Sequence, residues 1–136
     1  MKNDDCIFCK IANGEIPSRT IYEDQIFRVI LDLSPATRGH ALILPKDHSA
    51  NLYDLPEETA AAVLVLAKKL ALIMRERLGC DGLNLVQNNG ETAGQTVAHF
   101  HLHMIPRYAD DGQKISWIPG KPSQEELDEV RKTLTE

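Results

Sequence analysis

Hydrophobic positions along this chain fall into several short blocks of strand period and one long block of helical period. Ile26-Phe27-Arg28-Val29-Ile30-Leu31 reads as a strand ending at Asp32, and His40-Ala41-Leu42-Ile43-Leu44 as another, stopped by Pro45. Residues 19–22 predict a short strand ahead of them, with Glu23-Asp24 as a turn. Residues 82–87 predict a further strand, followed by an Asn88-Asn89-Gly90 turn. The next apolar block, 97–105, carries Val97, Phe100, Leu102, Met104 and Ile105 with His99, His101 and His103 in alternation. On a strand, side chains two apart share a face, so the three imidazoles are predicted to point one way. Pro106 lacks a ladder donor and is predicted to end that strand.

The long block begins at Asp54-Leu55-Pro56-Glu57, which has an acceptor cap, a first-turn proline and an acid three residues on. The helix is predicted to reach about residue 78 and end at Gly79. Val63, Leu66, Ala67, Leu70, Ile73 and Met74 form its apolar stripe; Leu64, Val65, Ala71 and Leu72 widen it beyond one buried face. That excess calls for a second surface, either a twofold dimer contact or deep burial within one protomer. Ser123-Gln124-Glu125-Glu126 opens a terminal helix of about three turns. The pattern predicts an α+β fold with a mainly antiparallel sheet, in one domain spanning 1–136 with its core at about 6–107 and a loop and helix over 108–136.

Composition narrows the function. A hydrophobic fraction of 43% and a net charge of −5 describe a globular chain without the basic stripe that polynucleotide binding needs. The cationic cluster Lys68-Lys69 with Arg75 and Arg77 reads as a solvated helix face. No apolar run approaches the ~20 residues of a membrane span, and the start of the chain lacks a signal-peptide core. Nucleic acid and membrane partners are therefore not expected. Three cysteines, two of them closely spaced, suit a reducing cytoplasm better than a disulfide scaffold.

Cys6 and Cys9 are spaced to hold one metal ion, and Zn2+ would need two further nitrogen or sulfur ligands. His48 and His99 are the available candidates, giving a structural Cys2His2 site and leaving His101 and His103 free. A catalytic zinc held by the three alternating histidines is the rival reading. Gly94 permits close approach of an anion to the backbone, with Gln95 and Thr96 as neutral donors beside it. A neutral imidazole next to such a loop is a competent nucleophile towards phosphorus.

His99-Phe100-His101-Leu102-His103, with the preceding Ala93-Gly94-Gln95-Thr96-Val97, resembles the signature of the histidine triad (HIT) family of nucleotide hydrolases and transferases. Cys6-Ile7-Phe8-Cys9-Lys10-Ile11, Ile30-Leu31-Asp32 and the 39–48 segment match it in the same order. The likeness covers roughly residues 6–107. It implies a homodimer whose sheets join across the twofold axis. It also implies cleavage at the α-phosphorus of purine nucleotide derivatives through a nucleotidyl-histidine intermediate.

The resemblance assigns roles position by position. His101 matches the nucleophile, His103 a contact to the α-phosphate and leaving group, and His40 a helper that orients and relays protons. Asn88, Gly94, Gln95 and Thr96 match positions that hold phosphate or the leaving group, and Asp32 the carboxylate that grips the ribose. Ile7, Phe8, Ile11, Ile16, Ile30, Leu31 and Leu33 fall where the family lines its purine slot. Cys6, Cys9, His48 and His99 match the zinc quartet of bacterial-type members.

Thr96 stands where the phosphoramidase branch often has Ser. Trp117-Ile118-Pro119-Gly120 resembles that branch's Trp-Pro-Pro-Gly ending, displaced by a longer loop and followed by an extra helix. The expected activity is hydrolysis of purine nucleoside 5′-phosphoramidates. The alternatives are a dinucleoside polyphosphate hydrolase and a nucleotide-binding scaffold with vestigial catalysis.

Overall fold

The computed structural model describes residues 2–136. Its five-stranded sheet is antiparallel throughout, in the order β1-β2-β3-β5-β4. The strands are β1 (Thr20–Glu23), β2 (Phe27–Leu31), β3 (Ala41–Pro45), β4 (Gly82–Val86) and β5 (Leu102–Arg107). Three helices accompany them: α1 (Ile7–Ala12), α2 (Glu57–Leu78) and α3 (Gln124–Thr135). The α+β, antiparallel expectation holds. Among the described residues, no helix is long and apolar enough to cross a membrane.

Strand alternation divides the core in two. Phe27, Val29, Ala41, Ile43, Leu102 and Met104 face α2, where Val63, Leu66, Ala67, Leu70 and Met74 close the layer. Ile30, Leu42 and Leu44 face the other way and pack with Ala12, Phe8 and Ile11 of α1. Leu42 pairs with His103 in the sheet, so His103 stands on the α1 face.

Helix α1 escaped the hydrophobic pattern. Six residues are too few to show a helical period, and Ile7, Phe8 and Ile11 are indifferent helix formers. Its start is set by Cys6, whose sulfur accepts the Cys9 N–H. Helix α2 ends at Gly79 as expected, in the left-handed conformation with φ +65°. Its predicted start needs correction: Pro56 is the N-cap, without a side-chain cap bond, and Asp54 instead accepts from the amides of Ala50 and Asn51 in the preceding 3-10 turn.

The widened stripe of α2 is not absorbed within the protomer. Leu64, Val65, Leu72 and Ile73 remain exposed, Ile73 against expectation. Deep burial in one protomer is thereby ruled out as the reason for those residues. Helix α3 follows its Ser123 cap as predicted, but all of it is exposed, including Leu127, Val130 and Leu134.

The histidine segment departs most from its expected form. β5 starts at Leu102, so His99 and His101 lie in the bent approach to the strand. Pro106 sits within β5 opposite Leu83. It is tolerated because pairing with β3 ends at Ala41 and Met104, which leaves that end of β5 with one neighbour.

Candidate active site and metal centre

Four ligand atoms converge between α1, the loop after β3 and the approach to β5. The ligand atoms of Cys6, Cys9, His48 and His99 all lie within 4.8 Å of one another. His99 Nδ1 is 3.4 Å from both sulfurs, and His48 Nδ1 is 3.3 Å from Cys9 Sγ. Tetrahedral zinc, with bonds of about 2.3 Å to sulfur and 2.0 Å to nitrogen, sets ligand atoms roughly 3.5 Å apart. The residues therefore fit the ion.

The protonation states fit as well. His99 Nε2 donates to the Pro45 carbonyl at 2.8 Å, which leaves a lone pair on Nδ1 facing the cysteines. Burial pushes the His99 pKa down to about 4, which keeps that lone pair free of a proton at neutral pH. Burial raises the Cys9 thiol, opposed by the Asn3 N–H that its sulfur accepts. A divalent cation would reverse that balance in favour of thiolate.

The other two triad histidines are arranged for different work. His101 Nδ1 donates to the His99 carbonyl at 2.7 Å, so its Nε2 holds a lone pair. Its ring packs edge-on against Phe8 at 5.0 Å and against His103 at 5.0 Å. His103 Nδ1 lies 2.9 Å from His40 Nε2, and His40 Nδ1 accepts the Ala36 N–H at 2.9 Å. The neutral His40 ring must therefore carry its hydrogen on Nε2 and donate to His103, whose own hydrogen is left on Nε2. Burial, then the neighbouring His101 and His40, hold the His103 pKa at about 4; burial also lowers His40, with Asp32 opposing.

The three alternating histidines do not form one ligand set. Among the described residues the His/Cys/Asp/Glu clusters are the Cys6-Cys9-His48-His99 quartet and an Asp32-His40-His103 group. The bend before Leu102 separates His99 from its partners, and the three-histidine zinc reading falls with it.

The phosphate-loop residues divide. Gly94 has φ +97°, and a Cβ there would sit 3.4 Å from the Asn88 side-chain nitrogen, so the two residues are neighbours. Thr96 is exposed beside them. Gln95 is a correction: its amide donates to the carbonyls of Ala50 and Val97 and accepts the Gly90 N–H. Both amide hydrogens are spent on backbone, so the side chain braces the loop rather than offering donors to a phosphate.

The expected purine slot also divides. Phe8, Ile11 and Ile30 come together on the α1 face, with Phe8 against His101. Leu31, one residue on from Ile30, points to the opposite face and packs on the α2 core. Leu33 is 84% exposed and Ile7 is exposed, while Ile16 is half-buried. Sequence reasoning missed Asp32 as a neighbour of His40, 3.6 Å from its Nε2. It also missed the backbone groups of Ala36, Pro45 and His99, which carry no side-chain signature.

Residues 13–110 match the family model of the HIT domain. The chain belongs to the HIT family. Adenosine 5′-monophosphoramidase HNT1 of Saccharomyces cerevisiae is 43% identical over 120 residues, covering 88% of this chain and 72% of that protein. The solved structure of a Streptococcus mutans UA159 protein matches this HIT chain with a TM-score of 0.93 at 39% identity, covering 98% of this chain and 85% of that one. Coverage so complete takes in the loop after β5 as well as α3. A zinc-bound histidine triad family protein from Mycobacterium smegmatis matches at 40% identity with a TM-score of 0.74, covering 94% and 96%.

Proposed function

We infer that this HIT-family enzyme hydrolyses purine nucleoside 5′-phosphoramidates through a covalent intermediate on His101. The observation that carries the reading is the His101 tautomer: with Nδ1–H given to the His99 carbonyl, Nε2 is a free nucleophile. Relatives in two yeasts, Saccharomyces cerevisiae and Schizosaccharomyces pombe, bear the name adenosine 5′-monophosphoramidase, which supports the substrate class.

In the first step a His101 Nε2–P bond forms and the P–N bond breaks, the amine leaving with a proton taken from solvent. His103 presents its Nε2–H to the phosphoryl oxygens or the departing nitrogen. Asn88 and Thr96 hold the phosphate, and Asp32 the ribose hydroxyls. The Gly94 N–H, expected among the phosphate donors, is instead given to the Glu91 carbonyl at 2.9 Å, so Gly94 serves by leaving room beside Asn88. Phe8, Ile11 and Ile30 supply the apolar wall for the base. Water then attacks phosphorus and returns a proton to solvent, the Nε2–P bond breaks, and the 5′-monophosphate leaves with His101 restored as the neutral Nδ1–H tautomer.

Cys6, Cys9, His48 and His99 hold a structural Zn2+ that pins α1 to the approach of β5. The exposed apolar residues of α2, with Leu85 exposed on the edge strand β4, support a homodimer. The three free cysteines suit a cytoplasmic setting.

The test is turnover of adenosine 5′-phosphoramidate by the purified chain and by His101→Ala. Loss of the covalent route is expected to lower kcat at least about a thousandfold. Full activity in the variant, or a preference for diadenosine polyphosphates, overturns the assignment.

A further inference from the structure

The carboxylate of Asp32 is held in place by more than its role at a ribose would require. Its Oδ1 accepts the Ser34 N–H at 2.8 Å, and its backbone N–H donates to the His40 carbonyl at 2.9 Å. These bonds aim Oδ2 at His40 Nε2, 3.6 Å away. The loop between the two residues is anchored too: Thr37 donates its hydroxyl to the Pro106 carbonyl, and Gln113 and Tyr108 donate to the carbonyls of Ala36 and Arg38.

We propose that Asp32 is a positioning residue for the chemistry: together with the Ala36 amide it locks His40 and His103 in one neutral tautomer that directs His103 Nε2–H into the site. The lock works from both ends of the His40 ring. The Ala36 N–H occupies Nδ1, so a hydrogen there would meet another hydrogen. The Asp32 carboxylate beside Nε2 favours a hydrogen on that atom, since a lone pair there would face a negative charge. With His40 donating, His103 Nδ1 can only accept, and its remaining hydrogen must stand on Nε2.

One consequence corrects the expectation that His40 relays protons. A proton passed along this pair would need a hydrogen on His40 Nδ1, which the Ala36 amide forbids, or an anionic imidazole. His103 is therefore a fixed neutral donor that stabilises charge on the phosphoryl group without giving its proton away. The charged and titratable groups facing the pair are Asp32 and His101.

The experiment has two arms. The first reads the imidazole nitrogens of the intact 15N-labelled chain at pH 7, with no substrate. A hydrogen on Nε2 of both His40 and His103 is expected in the wild type, and a mixture of tautomers in Asp32→Asn, whose side-chain NH2 can donate where the carboxylate only accepts. A wild-type His103 with its hydrogen on Nδ1, or an unchanged spectrum in the variant, overturns the proposal.

The second arm rests on the phosphoramidase reading and separates the lock from ribose binding. Asp32→Asn is assayed on adenosine 5′-phosphoramidate and on its 2′,3′-dideoxy counterpart. Disturbing a catalytic tautomer can cost up to about 10⁴ in kcat, and a loss of about tenfold or more on both substrates is expected here. A loss limited to KM, and absent with the dideoxy compound, assigns Asp32 to the ribose alone and overturns the proposal. Failure of the phosphoramidase reading would appear as no turnover by the wild type, and the nitrogen spectra would still decide the lock.

Discussion

The backbone carbonyl of His99 accepts the Nδ1–H of His101 at 2.7 Å, while the His99 ring lies within 3.4 Å of both Cys6 and Cys9. One residue thus faces the metal quartet with its side chain and fixes the tautomer of the candidate nucleophile with its backbone. The two sites share a bend in the chain, and a disturbance at one reaches the other.

Metal removal is therefore expected to affect turnover as well as stability. Stripping zinc with a chelator, or introducing Cys9→Ser, leaves His99 with its bond to the Pro45 carbonyl and weak contacts to its neighbours in place of a metal bond. Tm is expected to fall, at about 4 °C for each kcal/mol lost, and kcat with it. The check is calorimetry and an activity assay on the same sample before and after zinc is restored. A chelated protein with unchanged Tm would contradict the quartet's structural role.

Acid should unfold the protein through its buried histidines. The folded His103 resists protonation down to about pH 4, and burial lowers His40 as well, whereas unfolded histidine titrates near 6.5. Between those values the unfolded chain binds more protons than the folded one. Stability present above pH 6.5 is thus lost as pH falls towards 4, by an amount on the order of 2 kcal/mol. Denaturant midpoints across that range measure it, and His103→Asn is expected to flatten the slope.

Gly39→Ala should be severe although the residue touches no substrate. Its φ is +91°, and an added Cβ would lie 2.5 Å from Leu78 Cδ1 and 3.3 Å from Pro106 Cγ. A left-handed backbone and an overpacked contact combine, so a loss of roughly 2–4 kcal/mol is expected. Chemical denaturation would show it. A near-neutral result would mean that the loop before His40 relaxes freely.

Gln95→Leu keeps the side chain's bulk and removes three hydrogen bonds to Ala50, Val97 and Gly90. At about 1 kcal/mol each, the loop carrying Gly94 and Thr96 should loosen by roughly 1–3 kcal/mol. Faster amide exchange over residues 88–98 and a lower kcat are expected. Unaltered exchange there would show that the brace is dispensable.

A face of α2 covered by a second protomer should respond to charge. Val65→Glu is expected to shift the chain from dimer to monomer in sedimentation analysis, because Val65 is 59% exposed and buries little within its own protomer. An unchanged monomer in both proteins would count against the homodimer.

Much of this protein could be read from its residues in order. Apolar blocks located β1 to β4 within a residue or two, because alternation is imposed by the pleat itself, whereas β5 starts five residues later than its block. The α2 stripe and Gly79 located the long helix for equally local reasons. Cys6, Cys9, His48 and His99 could be grouped as ligands because sulfur and imidazole advertise that chemistry by type. The short α1, the bend before Leu102 and the inclusion of Pro106 in β5 could not be read so. Each depends on which strands are neighbours, and β3 ends where the proline would otherwise break a ladder. The same limit separated Leu31 from Ile30 and spent the Gln95 amide on backbone. Residue type determined which groups could do chemistry; the packing of loops onto the sheet decided where each hydrogen stands, since the deciding partners are the backbone groups of Ala36, Pro45 and His99.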